Sequence, residues 1–258
     1  MAPKRLNWTV TDEDDVRPYD STRPPGVRGV GRANLRVVYQ PIVHVRTKRL
    51  AAVEALCRCD HPGFANPSVL FSEAAAAGYS GRLGRIIREL AFEEASGQRI
   101  FVNIHPSELA ARWLVRPDDP MFLHDADVFL EITEAAAFEH HDLVRAVLSE
   151  VSSRGVRLVI DDFGAGYSNL ARLADLHPAV VKVDRSLVTD LDRLPRQQTL
   201  LRHIVAMMQS FEATVVVEGV ETVDELRAVV DTGADFVQGY LLARPANPIP
   251  VPAWPSVV

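Results

Sequence analysis

Cysteine is scarce in this chain of 258 residues, which contains only Cys57 and Cys59. Two thiols are too few for a zinc site built on cysteine. The two residues are i and i+2 on a predicted strand, so their side chains share a face but lie too far apart for relaxed disulfide geometry. We therefore expect two small buried side chains in a protein from a reducing compartment.

Long apolar runs and excess positive charge are also missing. No segment reaches the roughly 20 apolar residues that cross a bilayer, and the first residues, MAPKRLNWTVTDEDD, lack the apolar core of a signal peptide. We therefore expect a cytoplasmic protein without a membrane span. The net charge of −6 argues against polymeric nucleic acid as a partner, although a few cations and a metal could hold a small phosphate-bearing ligand.

Proline is frequent near both ends, and Gly26, Gly29 and Gly31 lie close together near the first. Mixed charges with little apolar periodicity predict a flexible segment over residues 1–33. Prolines at positions 245, 248, 250, 252 and 255 exclude a helix and predict an extended surface tail over 248–258. One catalytic domain is then expected over 34–247, a size that α/β barrels commonly have.

Within that domain, apolar segments alternate with segments of helical length. Eight segments are predicted strands: LRVVYQPI at 35–42, LAAVEAL at 50–56, RIFVNI at 99–104, VFLEIT at 128–133, VRLVID at 156–161, VVKVD at 180–184, ATVVVEG at 213–219 and DFVQGY at 235–240. Repeated strand–helix units predict a mainly parallel sheet, and eight strands favour a closed TIM-like (β/α)8 barrel. An open doubly wound sheet is the alternative, but the chain has no G-x-G-x-x-G fingerprint.

Two helices carry clear signals of their own. An apolar stripe at helical spacing runs from Leu143 to Val151 and ends before Gly155. Thr222 and Glu225 have the spacing of a capping box and predict the start of a second helix.

Acidic and amide residues end five of the apolar stretches: Glu54, Asn103, Glu131, the pair Asp161 and Asp162, and Glu218. A buried carboxylate loses hydration that only a cation or hydrogen-bond donors restore, and several carboxylates together repel one another unless a divalent ion is present. A helix cap or solvated turn explains any one of them, but caps would use Ser and Thr as often. The pattern predicts one oxygen-lined metal site at the barrel mouth.

Strand periodicity places two further residues beside these acids and leaves an alternative open for each. Glu54 and Arg58 share a face, which predicts either a metal ligand beside a phosphate-binding guanidinium or a simple ion pair. Lys182 and Asp184 share the face opposite Val181 and Val183, and their structural alternative is a buried ion pair.

Eight ordered segments resemble the EAL-domain cyclic-di-GMP phosphodiesterases. They are YQPIV at 39–43, EAL with Arg58 at 54–58, VNI at 102–104, EITE at 131–134, DDFGAGYSNL at 161–170, KVD at 182–184, EGVET at 218–222 and QGYLLARP at 238–245. The resemblance implies an EAL-type barrel whose first strand is antiparallel. It also implies an enzyme that hydrolyses cyclic di-GMP to linear pGpG in bacterial signalling.

The same resemblance implies a role for each matching residue. Glu54, Asn103, Glu131 and Asp161 would hold a first metal, and Asp161 would bridge to a second one held by Asp162 and Glu218. All-oxygen ligands suit Mg²⁺ or Mn²⁺. The catalytic residues would be Lys182, which contacts the nucleophilic water, together with Glu54, Asp161 and Glu218.

Further residues follow from the resemblance as substrate contacts and loop supports. Gln40, Arg58 and Gln238 match substrate-binding positions, while Glu134, Asp184 and Glu221 match acids that support the site loops. The family often dimerises, so the resemblance allows a homodimer and a regulatory protein partner.

Five positions depart from the family pattern without replacing a metal ligand or Lys182: His44, Cys59, Ala75, Ala76 and His105. They bear on substrate affinity, rate or dimer packing rather than on the class of reaction. Two alternatives remain, a receptor that binds cyclic di-GMP without hydrolysing it and a scaffold that binds no nucleotide. Receptors of this kind typically lose metal ligands, whereas this chain keeps them.

Overall fold

Eight strands close into a barrel, and each strand pairs with its neighbours in chain order. They are β1 (Leu35–His44), β2 (Leu50–Cys59), β3 (Ile100–Asn103), β4 (Val128–Thr133), β5 (Arg157–Phe163), β6 (Val180–Val183), β7 (Thr214–Val217) and β8 (Phe236–Val237). The structure is a computed structural model and describes residues 26–110, 112–166, 169–256 and 258.

Strand β1 runs antiparallel to both of its neighbours, and the remaining strands are parallel to one another. The direction follows from the short turn between β1 and β2, which leaves no room for a crossover helix. His44 closes that turn by donating its backbone N–H to the Arg49 carbonyl over 3.0 Å. The predicted fold, a barrel with its first strand antiparallel, is confirmed.

The described residues form eight α-helices: α1 (Pro67–Ala76), α2 (Ser80–Glu94), α3 (Pro106–Ala110), α4 (Glu134–Glu139), α5 (His141–Ser152), α6 (Leu170–Leu176), α7 (Pro195–Ser210) and α8 (Val223–Val230). Helix α5 buries the apolar stripe expected from the sequence, including Val144, Val147 and Val151. Helix α8 begins with the expected capping box of Thr222 and Glu225. No helix in these described ranges is both long and apolar enough to cross a membrane.

Apolar side chains pack in two separate clusters. The larger one fills the space between the strands and the surrounding helices. The smaller one lies inside the barrel and comprises Ile42, Ala52, Phe101, Phe129, Val159, Val180 and Val216. Side chains alternate between the two faces of a strand. In this barrel one face packs in the larger cluster and the other in the smaller one, so both faces are buried and the strands are continuous apolar segments in the sequence.

The structure describes residues 26–33 of the segment 1–33 that the sequence predicts to be flexible. Short 3₁₀ helices span Val27–Gly29 and Arg32–Asn34. Val27 and Val30 are buried, and the hydroxyl of Tyr79 donates to the Val30 carbonyl over 3.0 Å. Two valines spaced by three residues supply the apolar contact that anchors this segment, while residues 1–25 lie outside the described range.

After β8 the chain crosses back over the start of the barrel. Ala246 pairs with Tyr39 of β1 in an isolated antiparallel bridge. Beyond it, the described residues of the predicted tail, 248–256 and 258, form neither helix nor strand. Trp254 packs partly buried against the core, whereas Val251 is exposed.

The two cysteines are buried and unpaired in the structure, as the sequence analysis expected. Burial raises the pKa of the Cys57 thiol to about 12, so its reactive thiolate is scarce at neutral pH.

Candidate active site

The polar residues of the site form a layer directly above the apolar cluster inside the barrel. Each polar residue lies two positions after an apolar residue of that cluster. The pairs are Ala52 and Glu54, Phe101 and Asn103, Phe129 and Glu131, Val159 and Asp161, Val180 and Lys182, and Val216 and Glu218. On β1 the order reverses, with Gln40 two residues before Ile42, because this strand is antiparallel. A period of two puts all of these side chains inside the barrel, at one level near its carboxyl mouth.

Two of the acids lie within their strands instead of at the strand ends that the sequence indicated. Strand β2 continues to Cys59, so Glu54 sits at its middle, and β5 continues beyond Asp161 to Phe163. Both side chains are buried. A carboxylate at such a position has little water around it, which increases the need for a cation or a donor.

Adjacent residues Asp161 and Asp162 both reach the site because β5 is irregular there. Its pairing with β6 shifts between Ile160 and Phe163, and Asp162 takes the left-handed conformation with φ of 56°. Regular strand geometry would send neighbouring side chains to opposite faces. The Asp162 N–H donates to Oδ1 of Asp161 over 2.9 Å, which stabilises this uncommon backbone conformation.

Carboxylate oxygens gather in two overlapping groups. Oxygens of Glu54, Glu131 and Asp161 lie within 4.8 Å of one another, and so do oxygens of Asp161, Asp162 and Glu218. Asp161 belongs to both groups. The structure therefore brings together all five predicted acidic ligands in an arrangement with one shared carboxylate.

Asn103 completes the first group. Its Nδ2 donates to Glu54 over 3.2 Å and to Glu131 over 2.9 Å. A half turn of the side-chain amide would put Oδ1 where Nδ2 lies, so the same position can offer an oxygen to a cation. Sequence and structure thus agree in placing Asn103 beside these two carboxylates.

Lys182 lies between the two groups. Its Nζ is 2.6 Å from Glu218, 2.7 Å from Glu131 and 3.4 Å from both Glu54 and Asp161. The ammonium is almost completely buried. Since Asp184 instead caps the turn at 185–187 by accepting from Ser186 N–H, the alternative of a buried Lys182–Asp184 pair is wrong.

Burial and crowding change the pKa values of these groups in different directions. Burial raises the pKa of Glu218 to about 8, against the attraction of Lys182, and burial also holds the pKa of Glu131 well above its ordinary value. Burial opposes ionisation of Glu54 too, but Lys182 and the donors Gln238 and Asn103 lower its pKa. One ammonium is thus insufficient to keep all of these carboxylates ionised.

Divalent cations fit this donor set. With all five carboxylates ionised, the single Lys182 ammonium leaves four uncompensated negative charges in a buried cluster, which two divalent ions would neutralise. The donors are carboxylate and amide oxygens, the ligands preferred by Mg²⁺ and Mn²⁺. In addition, the buried Oε1 of Gln238 accepts no hydrogen bond from the described residues.

Of the three predicted substrate-binding residues, Gln238 and Gln40 lie beside the first acidic group, whereas Arg58 lies farther along β2. Gln238 Nε2 donates to Glu54 over 2.6 Å and to Gln40 Oε1 over 3.2 Å. Arg58 donates to the carbonyl of Cys57 over 2.8 Å. Among the described residues it forms no ion pair with Glu54, so the simple Glu54–Arg58 pair is wrong.

Two cavities share Glu54 and Leu56 in their walls. One, of about 310 Å³, is lined by Gln40, Gln238, Lys182 and the acids of the second group. The other, of about 460 Å³, is lined by Arg58 and Asn103 together with more apolar residues, among them Pro67, Phe71 and Ile104. A ligand with two similar halves would meet two different environments here.

The three predicted loop supports each have a specific contact. Glu134 accepts from the Gly164 N–H over 3.2 Å, which ties α4 to the loop after β5. Asp184 donates its own N–H to the Phe163 carbonyl, and Glu221 pairs with Arg185 over 2.8 Å at the rim of the smaller cavity.

Arg185 and Tyr240 also line the smaller cavity and were not among the predicted site residues. Arg185 directly follows the KVD segment and Tyr240 lies within QGYLLARP, so their place in or next to segments that carried the resemblance was the available signal. Arg244 lies over the Tyr240 ring, with its guanidinium carbon 4.3 Å from the ring centroid. These residues add cationic and aromatic character to an otherwise acidic rim.

Comparison with known protein families gives one extended match. A model of the EAL domain matches residues 28–245. Cyclic di-GMP phosphodiesterase NbdA of Pseudomonas aeruginosa is 34% identical over 225 residues, which cover 82% of this chain and 29% of NbdA. The chain spans 27% to 37% of the length of the curated relatives that it matches at similar identity.

Solved structures show the same barrel with ligands bound. BlrP1 of Klebsiella pneumoniae, in complexes of cyclic di-GMP with calcium or manganese, is 30% identical with TM-scores of 0.72 and 0.73, covering 87% of this chain and 58% of BlrP1. The phosphodiesterase PaMucR in complex with cyclic di-GMP is 28% identical with a TM-score of 0.74, covering 83% of this chain and 93% of PaMucR.

Proposed function

The chain belongs to the EAL-domain family, and from this premise we propose that it is a metal-dependent phosphodiesterase that hydrolyses cyclic di-GMP to linear pGpG. The observation that carries the proposal is the pair of oxygen groups joined by Asp161, with the Lys182 ammonium between them. Hydrolysis of a phosphodiester needs charge stabilisation on both the attacking and the leaving oxygen, which such a paired site supplies.

We assign the ligands according to the two groups. Glu54, Asn103, Glu131 and Asp161 would hold one divalent ion, and Asp161, Asp162 and Glu218 the other. Mg²⁺ and Mn²⁺ both suit these donors, and when bound they supply the positive charge that activates water and stabilises phosphoryl oxygens.

The reaction adds one water molecule to one of the two phosphodiester bonds. The water oxygen forms a bond to phosphorus while the bond from phosphorus to the 3′ oxygen breaks, so the product carries a 5′-phosphate and a 3′-hydroxyl. The Lys182 ammonium is placed to orient the water by donating to its oxygen, because its Nζ lies within 2.7 Å of oxygens of both Glu131 and Glu218. One of these carboxylates would accept the proton that the water loses. The leaving 3′ oxygen takes up a proton to complete the balance.

Other side chains would position the substrate. Gln40 and Gln238 reach the acidic groups from the smaller cavity, where their amides can contact the ribose or phosphate of one nucleotide. Arg58 lies on the wall of the larger cavity without a carboxylate partner in the described residues, so its guanidinium is available to a phosphate.

The direct test is hydrolysis of cyclic di-GMP by the purified chain with Mg²⁺ or Mn²⁺, with products separated by chromatography. We expect pGpG with metal and none with EDTA. The Glu54→Gln variant should lose at least about a hundredfold in turnover, because a metal ligand is removed. Glu73→Gln, which changes an exposed acid on α1, is the matched control and should retain full activity.

Absence of pGpG with both metals would contradict the proposal. If the chain then still binds cyclic di-GMP, the receptor alternative is supported, and if it binds no nucleotide, the scaffold alternative is. The proposal further places the chain in the cytoplasm, and the homodimer and regulatory partner implied by the family stay predictions.

A further inference from the structure

His105, one of the positions where the chain departs from the family pattern, has an imidazole ring with a fixed orientation. Its Nδ1 accepts from the backbone N–H of Ser107 over 3.2 Å and lies 2.7 Å from the Ser107 hydroxyl oxygen. Because Nδ1 is an acceptor here, the ring proton is on Nε2. The imidazole therefore presents a donor on the edge that Ser107 leaves free.

That free edge belongs to a residue on the wall of the larger cavity. His105 lines the 460 Å³ cavity together with Arg58, Phe71 and Asn103, and none of the described residues accepts a hydrogen bond from its Nε2. The cavity is within the usual range for a small-molecule site, roughly 300–1,000 Å³. Glu54 is part of its wall, so a nucleotide with its phosphate at the acidic groups would have room for its base in this space.

The ring of Phe71 sets the plane of a bound base. Phe71 and His105 are nearly parallel, with an angle of 4° between their planes and 6.5 Å between their centroids. A base stacked on Phe71 would lie parallel to the imidazole. A base that stacks on Phe71 in the same plane as the imidazole would receive the in-plane Nε2–H of His105 at the lone pairs on its edge.

The donor character of this wall favours one purine. Guanine presents two acceptors, O6 and N7, on its major-groove edge, whereas adenine presents the N6 amino donor beside N7. We propose that His105 is a specificity-determining residue that donates from Nε2 to the O6/N7 edge of a guanine stacked on Phe71. The proposal rests on the proposed function, since it takes a cyclic dinucleotide as the substrate.

The test compares two cyclic dinucleotides on three forms of the chain. KM and kcat are measured for cyclic di-GMP and cyclic di-AMP with wild type, His105→Ala and His105→Gln. We expect His105→Ala to raise KM for cyclic di-GMP about tenfold with little change in kcat, and to reduce the preference over cyclic di-AMP by the same factor. His105→Gln keeps a side-chain N–H donor and should restore most of the preference.

A variant of Phe71 distinguishes recognition of the base by His105 from general damage to the cavity. Phe71→Leu removes the stacking face and should weaken both dinucleotides equally, because stacking does not distinguish purines. If His105→Ala also weakened both equally, the histidine would contact phosphate or support the wall, and the proposal would be overturned. An unchanged preference would overturn it as well.

Equilibrium binding keeps the outcome independent of turnover and of variant folding. Wild-type chain with Ca²⁺ is titrated with cyclic di-GMP and with its 7-deaza and cyclic di-AMP counterparts, and we expect both analogues to bind more weakly. Equal affinities for all three would overturn the base-reading role of His105. If wild type binds with this preference and His105→Ala, titrated in the same way, loses it, while no pGpG is produced, the proposed function fails and the inference about His105 stands. If His105→Ala keeps the preference, the inference is overturned.

Discussion

Lys182 is the residue on which the charge balance of the site depends. Among the residues that the structure describes, it provides the one ammonium in contact with Glu54, Glu131, Asp161 and Glu218, at distances of 2.6 to 3.4 Å. A buried cation among several acids limits their repulsion, and in the proposed reaction it would also orient the attacking water by donating to its oxygen.

Replacing Lys182 by Met removes this charge while keeping a long apolar side chain. We expect turnover of cyclic di-GMP to fall by roughly 10²–10⁴-fold, the range typical for impaired proton transfer from the reacting water. Binding of cyclic di-GMP in Ca²⁺ should remain within several-fold of wild type, because the metal ligands and the cavities are kept. Steady-state kinetics and calorimetry measure the two effects.

Lys48→Met serves as the control, since Lys48 is an exposed lysine outside the site. It should leave both turnover and binding unchanged. Turnover by Lys182→Met within tenfold of wild type would show that Lys182 neutralises the acids without taking part in the reaction.

Asp162 shows which part of the site strand periodicity does not predict. A two-residue period places Asp161 inside the barrel and would send Asp162 outward. The irregularity in β5 and the positive φ of Asp162 bring both carboxylates to the same mouth. The pattern of acids at the ends of apolar stretches assigned both residues to one metal site, but it did not show how two adjacent carboxylates reach that site, because no propensity in VIDDFG specifies the bulge.

At the scale of elements, the loops after β7 and β8 are held together at Gly239. A Cβ atom on Gly239 would lie 2.0 Å from the carbonyl oxygen of Val220 and 2.4 Å from its nitrogen. The nearest atoms all belong to the Val220 backbone, so no flexible side chain could move away from the added Cβ. These loops carry Gln238 and Glu218, so the close approach fixes two residues of the site.

We expect Gly239→Ala to destabilise the chain by about 1–3 kcal/mol, the usual cost of overpacking. It should also lower turnover by displacing Gln238. Thermal unfolding and kinetics measure both. Gly31→Ala is the matched control, because a Cβ there has open space around it. Equal stability of the two variants would contradict the role of the close contact.

The start of α8 provides a pH dependence. Although burial opposes ionisation of Glu225, its carboxylate accepts the backbone N–H groups of Glu221, Thr222 and Asp190, and these bonds lower its pKa below the ordinary 4.5. The ionised carboxylate therefore stabilises the fold above pH 4.5, and this contribution is lost as the pH falls through the lower folded-state pKa.

Glu225→Gln should consequently destabilise the chain at pH 7 and flatten the dependence of its unfolding free energy on pH below 4.5. Denaturant unfolding at a series of pH values between 3 and 7 measures this difference. Parallel profiles for wild type and variant would contradict the account.

This capping box could be predicted because both partners, Thr222 and Glu225, lie within one turn of the chain. The antiparallel direction of β1 could not be derived from periodicity, which is the same for either strand direction. It follows from the short connection between two long strands. The spacing of the first two apolar segments shows this connection, but the segments by themselves do not give the strand direction.

At the scale of the whole molecule, the eight strands were predictable because strands buried on both faces are continuous apolar segments. A charged cluster in the wall around the barrel could not be predicted in this way. Arg88 of α2 is fully buried and pairs with Glu108 and Asp119 over 2.7 Å each. These partners are 20 and 31 residues away in sequence, and no local pattern connects them.

Arg88→Met tests what this cluster contributes to stability. The substitution leaves two buried carboxylates without their cation, so we expect a loss of about 3–5 kcal/mol in unfolding free energy. Arg112→Met, which breaks the exposed pair with Glu150, should cost less than about 1 kcal/mol. A similar small effect at Arg88 would mean that Glu108 and Asp119 become neutral at no cost.

The proposed function requires two cation positions that share Asp161 in one barrel mouth. The number of Mn²⁺ ions bound per chain, measured by equilibrium dialysis for wild type and Asp161→Asn, tests it most directly. We predict about two ions for wild type and a loss of tight binding at both positions in Asp161→Asn. A single ion in wild type, or unchanged binding in the variant, would contradict the shared site.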